Sequence, residues 1–97
     1  MTPERAHAYR QVIHTLQEVG PSKLLAGEQD RIRYAADNLI FADSLLAEEG
    51  VREALADVER LCRGLVESGR WERAAAMRLA DYVARCGPSH EAELEAA

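Results

Sequence analysis

At 97 residues the chain supplies one domain and leaves no room for a second, and a fold of this size buries roughly 60 to 65% of its unfolded surface around a single core. Seventeen acidic against twelve basic residues give a net charge of −5, which argues against general affinity for nucleic-acid phosphates or an anionic bilayer. No apolar run is long enough to span a membrane, and Thr2-Pro3-Glu4-Arg5 opens a helix rather than a leader, so a cytoplasmic location is expected.

Apolar residues make up 47% and charged residues 30%, a globular balance rather than a disordered one. Alanine, leucine, glutamate and arginine dominate while β-branched residues are scattered, so the propensities predict an all-α fold. Arginine supplies eleven of the twelve basic residues without gathering into one patch.

The first helix is expected over residues 3–19, with Thr2 as N-cap, Pro3 at the first helical position and Gly20-Pro21 closing it. Tyr9, Val12, Ile13, Leu16 and Val19 share one side; Glu4, His7, Gln11, His14 and Glu18 share the other. Residues 20–27 read as a connection whose Leu24 and Leu25 both turn inward.

From Glu28 a second helix resumes, with Ile32, Ala35, Ala36, Leu39, Ala42 and Leu46 as its core stripe. It is expected to run continuously to Ala47, with a break near Asp43-Ser44 as the alternative. Beyond Gly50, the arc Val51, Ala54, Leu55, Val58, Leu61, Cys62, Leu65 and Val66 predicts a third helix that stops at Ser68-Gly69. Its outer face is Glu53, Asp57, Arg60, Arg63 and Glu67.

The fourth helix is expected over residues 70–86, with Trp71, Ala75, Ala76, Leu79, Tyr82, Val83 and Cys86 inward and Gly87-Pro88 as its stop. Residues 1–87 then form one up-down helical bundle of four helices, with three long helices plus a short fourth element as the alternative. Residues 88–97 are acidic, poor in large apolar side chains and expected to fray.

Motifs that would carry chemistry are absent or incomplete. Glu4-Arg5-Ala6-His7 has the Glu-x-x-His spacing of carboxylate-bridged metal bundles, but it occurs once and on a polar face, where a site needs two inward copies and further carboxylates. In an antiparallel hairpin of the third and fourth helices, Cys86 lies about 15 Å along the axis from the level of Cys62. A disulfide requires Cα atoms within about 7 Å, so both cysteines read as reduced, buried hydrophobes.

Ser22, Ser44, Ser68 and Ser89 fall near helix ends, where capping explains them. No glycine-rich phosphate loop or zinc spacing is present. No enzyme, catalytic residue, metal or cofactor is therefore expected. Ala74-Ala75-Ala76 leave space beside Trp71 and Tyr82, but small side chains mark close helix packing at least as well, and no small-molecule ligand is expected either.

One stretch resists this plain reading. In YAADNLIFADSLL, residues 34–46, the core stripe leaves Tyr34, Asn38, Phe41 and Leu45 together on a second face of the helix. Either the helix is central and packed on both sides, or it kinks to turn Phe41 inward, or the stripe meets another chain.

The function this supports is a small protein–protein interaction module, its partner another chain or a second copy in a homodimer, natural or engineered as a binder. The alternative is a regulatory or DNA-associated domain using the arginines of the fourth helix, Arg70, Arg73, Arg78 and Arg85. That helix offers alanines and methionine where a recognition helix needs base-reading side chains.

Overall fold

The computed structural model describes residues 3–42 and 49–87. It contains four helices: α1 (Pro3–Lys23), α2 (Ala26–Ile40), α3 (Glu49–Glu67) and α4 (Arg73–Arg85). Among the described residues there is no strand. The expected tail at 88–97, Leu46 and the alternative break at Asp43-Ser44 lie outside them.

The helices run up, down, up and down. Arg5 near the start of α1 reaches backbone carbonyls at the ends of α2 and α4, whereas Lys23, the last residue of α1, accepts from Arg70 and Trp71 just before α4. Sequential neighbours pack together, α1 packs on α4 to close the ring, and α2 touches α4 across the diagonal. Buried Ala35 and Ala36 on α2 and Ala76 on α4 are short enough to let two helices approach in that way.

The core is built from the expected stripes. Val12, Ile32, Leu39, Val58, Leu65, Leu79 and Val83 are each almost completely enclosed, and burying such side chains is worth roughly 1.5–3 kcal/mol apiece before the entropy of ordering them is subtracted. Among the described residues no polar or charged residue is buried, so apolar burial and helix-end chemistry determine the fold.

The ends of three of the helices differ from the sequence expectations. α1 does not stop at Gly20-Pro21 but continues to Lys23. The carbonyl of Lys23 is held by the indole Nε1 of Trp71 and by Arg70, each at 3.2 Å. Tertiary donors thus fix the helix end that local punctuation had placed earlier.

α2 begins at Ala26 and stops at Ile40, with Phe41 as its C-cap, so the helix is not continuous to Ala47. Leu24 is buried as expected, but Leu25 is 66% exposed. Leu25 is the extended N-cap residue of α2, and its side chain points away from the core that Leu24 enters. Its amide donates to the Glu28 carboxylate at 2.8 Å, half of a capping box.

α4 begins at Arg73 rather than Arg70 because the preceding residues complete the end of α3. Gly69 has φ 75°, a left-handed conformation that favours glycine. The amide of Gly69 bonds the carbonyl of Val66 at 3.0 Å and that of Arg70 bonds Leu65 at 3.0 Å, the two bonds of a Schellman motif. Trp71 follows, buried against the core, and Glu72 takes the N-cap position of the new helix without a side-chain cap bond.

Candidate functional site

The suspected face of α2 is present and open. Tyr34 is 70% and Phe41 80% exposed, although α2 contacts all three other helices. Central packing therefore does not cover these rings, and the end of the helix at Ile40 does not turn Phe41 inward. Asn38 lies between them, half-buried, its amide donating to the carbonyl of Tyr34 at 2.9 Å. Leu45 falls outside the described residues.

The backbone under this face is pinned from below. Arg5 donates to the carbonyls of Leu39 and Ala42 at 2.8 Å and of Ile40 at 3.1 Å, and its Nε to that of Cys86 at 2.8 Å. A cation is placed where the carbonyls of two helix C-termini converge, which satisfies groups that a helix leaves unpaired and complements both dipoles. Nearby, the Tyr9 hydroxyl donates to Asp37, and that hydrogen bond to a carboxylate, with burial, raises the Tyr9 pKa.

The opposite pole has its own cluster. Arg70 grips both oxygens of Glu28 at 2.7 and 2.9 Å. Arg70, then the Leu25 amide, hold the Glu28 carboxyl below its ordinary pKa. On the flank of α2, Arg31 pairs with Asp57 of α3 at 2.6 Å, and this contact lowers the pKa of Asp57 and raises that of Arg31.

Two of the grooves between helices flank α4. A cleft of about 660 Å³ separates α1 from α4, with Val19, Trp71, Ala75 and Leu79 in its lining and Gln11, Arg78 and Tyr82 contributing polar groups. A shallower groove of about 310 Å³ lies between α3 and α4, lined by Cys62, Val66, Ala76, Met77 and Ala80. The short side chains of α4 leave room on both of its flanks. Sequence reasoning missed the second groove, because exposed Met77 sits outside the helix's core stripe.

His7 and His14 are exposed, on the polar face where the periodicity puts them, and His14 lies 3.1 Å from Glu18. Among the described residues no three histidine, cysteine or acidic side chains gather as a metal site would require. Cys62 and Cys86 are free and buried. Burial raises both thiol pKa values, that of Cys86 to about 11. Of the four α4-region arginines, Arg70 is taken by Glu28 and Arg85 by Asp81, which leaves Arg73 and Arg78 for an anionic partner.

The chain matches no protein-family model, no curated protein and no solved structure. No described helix is long and apolar enough to cross a membrane.

Proposed function

We propose that this four-helix bundle is a small protein–protein interaction module that associates with a second copy of itself through the outer face of α2. The observation that carries the reading is the exposure of Tyr34 and Phe41, 70% and 80%, two helical turns apart on a backbone that Arg5 holds in place. Rigid aromatic anchors are the usual material of interface hot spots.

A two-fold axis crossing α2 near Asn38 sets Tyr34 of one copy beside Phe41 of the other, so the face complements itself. One Asn38 amide donor is already spent on Tyr34, which lowers the desolvation cost between the rings. An interface centred on one helix of 15 residues stands at the small end of specific contacts, roughly 1,200 Å² in total, so weak, concentration-dependent association is expected.

Light scattering on a sizing column over a wide loading range tests this. The expected result is a mass that rises from monomer toward dimer, and a Phe41→Glu variant that stays monomeric with unchanged helicity. A monomer at every concentration, or a variant that associates as well as the parent, overturns the reading.

A further inference from the structure

The cleft between α1 and α4 lies apart from the α2 face and does not depend on it. Its volume, about 660 Å³, falls within the roughly 300–1,000 Å³ typical of small-molecule sites. One wall is apolar: Val19 from α1, Ala75 and Leu79 from α4, and the Trp71 ring, whose orientation is fixed by its Nε1 bond to Lys23.

The polar groups lining the cleft are mostly uncommitted. Among the described residues the side chains of Gln11, Arg78 and Tyr82 make no hydrogen bond or ion pair within the chain, although each lines this space. Arg70 is neutralised by Glu28, and Glu18 faces His14. The charges that remain are Lys23 and Arg78 against Glu18 and Glu72, and Arg78 is the guanidinium among them that no carboxylate of the described residues takes up.

From this juxtaposition we infer that the α1–α4 cleft binds a small carboxylate with an apolar body, the acid on Arg78 and the body against Val19, Ala75 and the exposed edge of the Trp71 ring. A guanidinium is suited to a carboxylate because its planar donors match the two oxygens. Gln11 and Tyr82 supply neutral donors along the same space.

Trp71 is the single tryptophan of the chain, so its emission reports directly on the cleft. Octanoate is titrated with octan-1-ol and octylammonium as uncharged and oppositely charged comparators. The expected result is a saturable change in Trp71 emission with octanoate, about tenfold weaker binding of both comparators, and about tenfold weaker octanoate binding in Arg78→Gln with the alcohol unaffected. Ala75→Phe, which fills the cleft, removes the response.

Absence of a saturable change with octanoate overturns the inference. So does equal binding of acid and alcohol, or undiminished octanoate binding in Arg78→Gln, a substitution at an exposed position that leaves the fold intact. Phe41→Glu binds octanoate as the parent does, which separates this result from the fate of the α2 interface.

Discussion

Arg5 Nη2 stands 2.8 Å from the carbonyl oxygen of Leu39, 34 residues further along the chain. The same guanidinium reaches Ile40, Ala42 and, through Nε, Cys86, so one side chain from α1 closes the ends of α2 and α4. Convergent C-terminal carbonyls repel one another unless a donor or cation lies among them.

Replacing Arg5 by methionine keeps the apolar stem and removes every donor, so it strands several part-buried carbonyls. The expected loss is roughly 2–3 kcal/mol, read as a lower urea midpoint. Arg5→Lys restores the charge but not the planar fork that serves separated acceptors, and should recover about half of that loss. Equal stability of all three proteins would show that water serves these carbonyls just as well.

The architecture was legible because its cause is periodic. Val12 and Leu16, Ile32 and Leu39, Val58 and Leu65, and Leu79 and Val83 recur at helical spacing and are buried. Helix ends were less legible because long-range donors decide them: Lys23 is the last residue of α1 since Trp71 and Arg70 bond it. The role of Arg5 left no local signal, since a charged residue in a first turn ordinarily faces solvent.

The candidate face was half legible. Periodicity separated Tyr34 and Phe41 from the core stripe, and both rings are exposed. It did not show that α2 ends at Ile40. Ala42 is buried in phase with the core stripe, and the break that Asp43-Ser44 offered as an alternative falls a few residues beyond the stop that Arg5 secures.

Glu28 joins two connections by accepting from the Leu25 amide and from Arg70. Its pKa is lowered, chiefly by Arg70, so the native state holds this carboxylate charged after the unfolded chain has protonated it. The stabilisation is present above the ordinary carboxylate range and is lost as pH falls through the lowered value. Glu28→Gln should cost about 0.5–1 kcal/mol at neutral pH, the size of a cap and a largely screened pair. The difference in melting temperature from the parent should shrink toward pH 3.

Two glycines make opposite predictions. A Cβ on Gly64, inside α3, would meet nothing within 4 Å, and alanine there should add up to about 1 kcal/mol by helix propensity alone. A Cβ on Gly87 would stand 2.7 Å from Leu39 Cδ2, and Leu39 is fully enclosed and has nowhere to swing. Gly87→Ala should therefore cost about 1–3 kcal/mol by overpacking where α4 meets α2. Paired denaturant curves test both, and a stabilising Gly87→Ala would mean that this end of the bundle is looser than the contact implies.

Cys86 gives the alkaline edge of the stability profile. Burial pushes its thiol up to about 11 from an ordinary 9.0, against a smaller opposing pull from Arg5. Well below pH 9 the thiol is protonated in both states and the shift has no effect on stability. As pH rises further the unfolded chain releases the proton first, so native stability declines through this group until the native thiol also ionises. The expected loss is on the order of 1 kcal/mol by about pH 10.5, after allowance for solvent screening. Urea midpoints at about pH 8 and pH 10.5 measure it, with Cys86→Ala less stable at the lower pH but losing less on the way up. An identical alkaline decline in that variant would move the cause to another group, of which Tyr9, raised by its bond to Asp37, is the first to replace with phenylalanine.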